Sequence, residues 1–323
     1  MDALSDILRI VRLTGAVFMD AEFTEPWCIG EPSGVEVCVE HMPQAQHVVI
    51  YHLVTEGNCE VSVPGQAAGS ARAGDLIVIP GGESHSLGSD LSQRPAAGGQ
   101  LVVRRAPDEV PQVRHGGGGA VTRLVCGYLA CDSFLFDTVL AALPHLMIVN
   151  MREGPSARWL SSSIEFSLAE SAAQRAGGVT MLAKLSELMF VEAIRRHIEI
   201  LPPEQVGWLA GLRDRFVGKS LALMHAKPAH AWTVEELASA VGLSRSALAD
   251  RFTDLLGQPP MQYLTRWRLQ LAANLLRSGA RTVAAVAAEV GYDSEAAFSR
   301  AFKRELGVAP AAWRRASAAR GTN

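Results

Sequence analysis

The chain of 323 residues has few of the features that would place it outside the ordinary globular proteins. No stretch approaches 18 uninterrupted apolar residues, which argues against a membrane-spanning helix. Near the N-terminus, Asp2, Asp6, Arg9 and Arg12 interrupt the region where a signal peptide needs an apolar run. The five cysteines are an odd number without a C-x-x-C pair, so we expect neither a disulfide framework nor a zinc finger. These absences predict a cytoplasmic protein.

The composition is that of a folded protein with an uneven distribution of charge. Apolar residues make up 48% and charged residues 20%, and the length allows two or three domains. Residues 209–323 contain 16 Lys and Arg against 9 Asp and Glu, whereas residues 1–208 contain 14 against 24. A basic part joined to an acidic part indicates a nucleic-acid-binding domain beside a sensing or assembly domain, although chance variation among solvated charges is the alternative.

The C-terminal third of the sequence contains an internal repeat. Thr233 opens a ten-residue segment that closes at Gly242, and Thr282 opens a similar segment that closes at Gly291. A serine follows each segment, at Ser244 and Ser294. Thr and Ser are favoured N-caps, and glycine is favoured where a helix ends in the left-handed conformation. Each repeat is therefore predicted to be a helix, a tight turn and a second helix.

The second helix of each repeat has one apolar face and one polar face. Leu248 and Phe252 share a narrow sector in the first repeat, as do Phe298 and Phe302 in the second, and this sector is predicted to face the core. The opposite face carries small, polar and basic residues that suit a major groove. The candidate DNA-binding residues on or beside that face are Arg245, Ser246, Ala249, Asp250, Glu295, Ala296, Ser299, Arg300 and Lys303.

A continuous helical pattern joins the two repeats. Residues 260–277 contain 18 residues and form a rod of about 27 Å at about 1.5 Å per residue. Such a rod can hold two recognition helices roughly one turn of DNA apart, which is about 34 Å. Two ordinary helical hairpins with solvated faces are the alternative interpretation of the repeat.

This part of the chain resembles the AraC/XylS family of transcription regulators. The resemblance covers about residues 212–316, with WTVEELASAVGLSRSALADRF at residues 232–252 and GYDSEAAFSRAFKRELGVAPAAWR at residues 291–314. It implies two helix-turn-helix units that bind double-stranded DNA. The chain departs from the family at Asp250, where relatives often carry a base or an amide. Arg300 and Lys303 in the second unit are therefore the stronger candidates for DNA contacts.

The N-terminal part shows six short β-rich runs, at residues 35–42, 47–54, 59–63, 75–80, 100–105 and 121–129. The stretch from Gly74 to His85 has the G-x5-P-x-G-x2-H spacing of the second cupin motif, and residues 51–56 retain part of the first. This resemblance predicts a cupin-like β-barrel. His52, Glu56 and His85 are candidate ligands of a divalent transition metal, because residues four apart on a strand share a face. The alternative is that both histidines are core residues of a barrel without metal.

Over the whole chain, the sequence resembles AraC-type regulators with a cupin-like N-terminal domain. MDALSDILRIVRLTGAVF at the start and LVCGYLACD at residues 124–132 carry this resemblance. Some relatives sense oxidants through cysteines, which makes Cys28 and Cys126 candidate redox residues. Free cysteines most often simply pack in the core, and that is the competing interpretation.

We therefore predict an α+β multidomain protein with three parts. These are a cupin-like sensor domain at residues 1–145, a helical connector at 146–208, and a DNA-binding domain with two helix-turn-helix units at 209–323. The predicted function is sequence-specific transcription regulation in response to a small effector or an oxidant, without enzymatic activity. The helices of the connector either cover the barrel, which is the commoner case for an apolar stripe, or pair with another subunit in a homodimer. RNA polymerase would be a partner of an activator. The alternative is a metal-dependent cupin enzyme fused to a DNA-binding domain.

Overall fold

The computed structural model of the chain divides into two units. It describes residues 2–10, 13–34, 36, 47–103, 111–131, 139–153, 157–172, 177–277 and 281–320. One unit, called here the sheet unit, comprises residues 13–132 and 143–197, and the other, the helical unit, comprises residues 1–12, 133–142 and 198–323. Among the described helices, none combines the length and the apolar composition that a membrane crossing requires.

Twelve described strands build the sheet unit: β1 (Leu13–Thr24), β2 (Cys28–Glu31), β3 (His47–Glu56), β4 (Asn58–Ser62), β5 (Gly69–Arg72), β6 (Asp75–Ile79), β7 (His85–Gly88), β8 (Ala96–Ala97), β9 (Val102–Val103), β10 (Gln112–Gly116), β11 (Val121–Cys131) and β12 (Met147–Asn150). Seven form a sheet in the order β12-β6-β3-β11-β1-β10-β9, and five form a sheet in the order β5-β4-β7-β2-β8. Five of the six predicted runs contribute strands, and the run at residues 35–42 lies outside the described residues except for Glu36.

The core of the sheet unit lies between the two sheets. Ile50 and Leu124 enter it from the seven-stranded sheet, and Ile29, Val61 and Leu87 enter it from the five-stranded sheet. Successive side chains of a strand point to opposite faces, so one row of apolar residues per strand builds this layer. The prediction of a barrel is wrong in one respect: the described strands form two separate hydrogen-bonded sheets and not one closed sheet.

Two helices follow the strands, α2 (Ala157–Ala172) and α3 (Gly178–Ile200), within the residues that the sequence predicted as a helical connector. Beneath α3, the hydroxyl oxygens of Tyr51 on β3 and Ser186 lie 2.8 Å apart, and both residues are buried. This hydrogen bond attaches α3 to the seven-stranded sheet. The predicted connector at 146–208 is therefore not a separate body, since residues 143–197 belong to the sheet unit.

The described helices of the helical unit are α1 (Ala3–Ile10), α4 (Trp208–Arg213), α5 (Arg215–Ala226), α6 (Val234–Val241), α7 (Arg245–Leu256), α8 (Pro260–Arg277), α9 (Val283–Glu289), α10 (Glu295–Leu306) and α11 (Pro310–Arg320). The N-terminal helix α1 packs against α5, and Ala3, Leu4 and Ile7 are buried. Residues 1–12 thus fold with the helices at the C-terminal end of the chain, although the sequence predicted them as part of the sensor domain.

Side-chain caps and glycines produce the two predicted helix-turn-helix units, α6-α7 and α9-α10. Each N-cap accepts a hydrogen bond from the backbone N–H three residues later; the caps are Thr233, Ser244, Thr282 and Ser294. In the turns, Gly242 and Gly291 adopt φ values of +81° and +85°, which favour glycine. The caps satisfy N–H groups that a helix leaves free at its first turn.

Aromatic side chains fill the interior of both helix-turn-helix units. Phe252 in α7 and Phe298 and Phe302 in α10 are fully buried. The indole N–H of Trp313 in α11 donates to the carbonyl of Ala273 in α8 over 3.1 Å, which attaches α11 to α8. Truncating a buried phenylalanine to alanine typically costs about 3–5 kcal/mol, so these rings hold the recognition helices in place.

A buried polar contact joins α4, α5 and α8. The hydroxyl of Tyr263 accepts a hydrogen bond from the indole N–H of Trp208 over 3.0 Å and lies 2.8 Å from Nε2 of His225. The ring of His225 also stacks on Trp267, with 3.7 Å between the ring centroids. Burial lowers the pKa of His225 to about 3, so this histidine is neutral at physiological pH.

Candidate functional site

The predicted recognition face of α7 lies opposite its buried row. Leu248 and Phe252 are buried, whereas Ser246 and Asp250 are exposed and Ala249 is half-buried. Arg245 is exposed as well, and its Nε lies 2.8 Å from a carboxylate oxygen of Glu235 in α6. The surface of α7 therefore combines small and polar side chains with one arginine whose charge is partly balanced.

The corresponding face of α10 is more basic. Its exposed residues include the predicted Glu295, Ala296, Arg300 and Lys303, while Ser299 is half-buried. Within the part of the chain that the structure describes, neither Arg300 nor Lys303 forms an ion pair. Two cations that are not neutralised by neighbouring carboxylates can meet phosphate oxygens or base edges.

In the sheet unit, the structure brings two of the three predicted metal ligands together. His52 on β3 and His85 on β7 are buried, and their Nε2 atoms lie 2.8 Å apart. Nδ1 of His85 lies 3.0 Å from the carbonyl oxygen of Glu83, which can only accept a hydrogen bond. Nδ1 of His85 therefore carries the hydrogen, and Nε2 of a neutral His85 accepts from Nε2–H of His52. This tautomer leaves Nδ1 of His52 as a bare acceptor.

Desolvation keeps both histidines neutral. It lowers the pKa of His85 to about 4 and holds the pKa of His52 well below its ordinary value, with His85 adding to the effect on His52. Nδ1 of His52 is buried and has no hydrogen-bond partner among the described residues. The same is true of the indole N–H of Trp27, which is also buried in this unit. Oε2 of Glu83 is also buried without a partner, so the described part of the sheet unit contains two unused acceptors and one unused donor.

The prediction that Glu56 shares a face with His52 is wrong. The pairing of β3 with β11 shifts between Arg123 and Leu124, so that Arg123 lies opposite Glu56 and Leu124 opposite Val54. This bulge adds a residue to β3 and turns Glu56 outward. Its side chain is 53% exposed and forms an ion pair with Arg123. Among the described residues, no group of three His, Cys, Asp or Glu side chains is arranged to hold a metal ion.

A further polar residue, Glu31, shares a strand face with His85 and was not predicted from the sequence. Glu31 on β2 is the direct cross-strand partner of His85 on β7, so their side chains share a face of the five-stranded sheet. Burial raises the pKa of Glu31 to about 7. Gly98 makes room for it, because a Cβ at that position would lie 2.3 Å from a Glu31 carboxylate oxygen. A single glutamate at the end of a short strand carries no sequence signal.

The structure does not bring the two predicted redox cysteines together. Cys126 on β11 lies in the core between the sheets, as Ile29 on β2 does. Cys28 precedes Ile29 and therefore points to the opposite face of its strand. Burial raises the pKa of both thiols. The thiolate is the reactive form, so neither residue is activated for oxidation in this conformation.

Comparison with known proteins supports both halves of this architecture. A cupin family model matches residues 2–199, and a helix-turn-helix domain model matches residues 237–316. The chain is 34% identical to an AraC-like transcription regulator of Streptomyces antibioticus, covering 98% of this chain and 99% of the relative. It is 36% identical to an AraC-like transcription regulator of Streptomyces lividans, covering 98% of each.

A solved structure also matches the C-terminal part. This is the DNA-binding domain of AdpA in complex with a target DNA, at 34% identity and a TM-score of 0.32, covering 33% of this chain and 96% of that one. The full-length relatives and the two family models together define a DNA-binding transcription regulator and not an enzyme. The chain belongs to the AraC family of transcription regulators and carries a cupin domain at its N-terminus.

The buried carboxyl of Glu31 predicts a pH-dependent stability. Its pKa of about 7 exceeds the ordinary value of 4.5, so the stability associated with the protonated group is present below pH 4.5 and is lost as the pH rises to about 7. Glu31→Gln should therefore unfold at a higher temperature than the wild type at pH 8, and the difference should shrink towards pH 4.5. The slope should not exceed about 1.4 kcal/mol per pH unit.

Thermal unfolding followed by circular dichroism between pH 4.5 and 8 checks this prediction. Glu60→Gln is the control, since Glu60 is an exposed carboxylate of the same unit. A constant difference between Glu31→Gln and the wild type across this range would contradict a raised pKa at Glu31.

Proposed function

We propose that the protein regulates transcription by inserting α7 and α10 into the major groove of duplex DNA in response to an effector bound in the sheet unit. The observation that carries this proposal is the two-sided character of α10. Its aromatic side is fully buried and its opposite side presents Arg300 and Lys303 without ion-pair partners among the described residues. A helix held by one face and basic on the other suits groove recognition.

The contacts of the two recognition helices are unequal in this proposal. Arg300 and Lys303 supply most of the attraction to DNA, since an arginine fork can read a guanine and a lysine can meet a phosphate. On α7, Arg245 shares its charge with Glu235, and Asp250 accepts from a cytosine amino group or is repelled by phosphate. The first unit therefore contributes mainly shape and the small residues Ser246 and Ala249.

Replacing Arg300 by alanine should weaken binding to a duplex selected by the wild-type protein from a random pool. The expected cost is about 1–3 kcal/mol if the side chain reads a base. Fluorescence anisotropy at several salt concentrations measures the affinity and its salt dependence. Arg315→Ala removes one exposed positive charge from α11 and should change affinity much less. Equal affinities of wild type and Arg300→Ala would refute the assignment.

The effector in this proposal is a small molecule with both a hydrogen-bond donor and an acceptor, bound in the sheet unit. The unused atoms described above, Nδ1 of His52 and Nε1 of Trp27, support this class of ligand. A buried polar group without a partner costs about 1–3 kcal/mol, and a ligand that pairs with it recovers this energy. Occupancy would favour one arrangement of the DNA-binding helices through differential affinity.

Compounds that raise the unfolding temperature of the full-length protein identify such a ligand. His52→Leu removes the unused acceptor at similar volume, so it should weaken binding of a true effector by at least about tenfold. His145→Leu, at an exposed histidine of the same unit, should bind like the wild type. An effector bound equally well by His52→Leu would place the site elsewhere.

A second copy of the chain is the partner that we propose for α2 and α3. Four large apolar side chains are exposed on these helices: Trp159 at 53%, Phe166 at 53%, Met181 at 44% and Leu188 at 47%. They line an open groove of about 590 Å³ between the helices. In a two-fold dimer the same patch serves both copies, so the aromatic side chains of each can fill the groove of the other.

Phe166→Glu should convert this dimer to a monomer, because it places a charge in the centre of the apolar contact. Sedimentation equilibrium of the full-length protein measures the association. Val308→Glu is the matched control, since Val308 is an exposed apolar residue of the helical unit, 42% accessible. A wild type that is monomeric at micromolar concentration, or a Phe166→Glu variant that still dimerises, would overturn this interface.

A further inference from the structure

The guanidinium group of Arg268 in α8 joins the segment that leads into the first helix-turn-helix unit to the turn of the second unit. Nε donates to the carbonyl of Pro228 over 2.6 Å, and Nη2 donates to the carbonyl of His230 over 2.8 Å. Nη1 donates to the carbonyl of Gly291 over 3.3 Å. Pro228 and His230 precede the first unit, whereas Gly291 lies in the turn of the second. One side chain therefore ties the two units together.

The same two segments also meet backbone to backbone. A Cβ added to Gly291 would lie 2.7 Å from Cα of Ala229 and 2.8 Å from its carbonyl oxygen. Gly291 also has φ of +85°, a conformation that other residues rarely adopt. The absence of a side chain at Gly291 thus allows the turn of the second unit to lie directly on the segment that leads into the first.

Each joined segment is attached firmly to its own unit. In the first, Nε2 of His230 lies 2.7 Å from a carboxylate oxygen of Glu236 in α6. Within this segment, the indole N–H of Trp232 donates to the carbonyl of Lys227 over 3.1 Å. In the second, Gly291 is three residues before Ser294, the N-cap of α10. A displacement at Arg268 would therefore be passed on to the recognition helices.

We propose that Arg268 is a positioning residue that fixes the spacing of the two recognition helices, and that it thereby selects operators by the distance between their two half-sites. This inference rests on the proposed function, in which both α7 and α10 enter the groove. Two helices held at one separation fit half-sites at one separation, because each inserted base pair moves a half-site by about 3.4 Å and rotates it around the duplex.

The planar guanidinium suits this role better than any other cation. Its donors point in several fixed directions in one plane, so three carbonyl groups can be held at once. A lysine ammonium keeps the charge but lies at a single point on a flexible stem. Arg268→Lys should therefore preserve the electrostatic attraction to DNA while weakening the contact between the two segments. Gly291→Ala should weaken the same contact independently, because the added Cβ forces the turn away from Ala229.

The experiment selects duplexes from a random pool with the full-length wild-type protein and then inserts one base pair between the two selected half-sites. We expect the insertion to weaken wild-type binding by at least about tenfold, the scale of losing one good base contact. For Arg268→Lys and Gly291→Ala the loss should fall to about threefold or less, and re-selection should return the same half-sites at mixed spacings. Fluorescence anisotropy supplies the affinities.

Arg266→Lys is the matched control. It is the same substitution on the same helix, but Arg266 contacts a single carboxylate, with its Nε 2.9 Å from Glu305. It should keep the full penalty for the inserted base pair.

Three results would overturn the inference. The first is an unchanged insertion penalty in Arg268→Lys and Gly291→Ala. The second is loss of all DNA binding together with loss of the thermal unfolding transition in both variants, which would make Arg268 a residue for folding alone. The third is a wild type that selects no paired half-sites; this result alone also refutes the proposed function, so the two failures are distinguishable.

Discussion

Burial of one apolar row in each of α7 and α10 is the constraint on which the outward face of these helices depends. Phe252 in α7 and Phe302 in α10 are fully buried, and a helix that buries one face must turn the opposite face outward. The residues that face the core therefore determine which residues lie on the exposed face of each helix. Arg268 then relates the two helices to each other, because its hydrogen bonds reach chain segments of both units.

The sheet unit buries several polar groups, and their desolvation costs free energy. His52 and His85 satisfy each other in part, and desolvation keeps both neutral. Glu31 shares the face of His85 and is held towards its protonated form. Buried polar groups cost free energy unless they are hydrogen-bonded. The sheet unit thus holds buried polar groups within an otherwise apolar core.

Local chemistry explains why much of the helical unit could be predicted. The hydroxyl of Ser294 and the glycine at position 291 act within a few residues of themselves, so their roles are visible in the sequence. The outward orientation of Glu56 could not be predicted from the sequence. One extra residue in β3 moves the side chains that follow it to the opposite face of the strand. Glu31 and Arg268 were missed because their partners lie more than 20 residues away along the chain.

The sequence by itself determined the class of the protein, the two helix-turn-helix units and the outward face of each recognition helix. These features depend on helical periodicity and end-capping, which are short-range. Only the tertiary structure decided that α1 joins the DNA-binding helices, that the cupin strands form two sheets, and that Glu31 lies opposite His85 while Glu56 turns outward. Those outcomes depend on strand register and on which surfaces cover one another, and no local pattern specifies either.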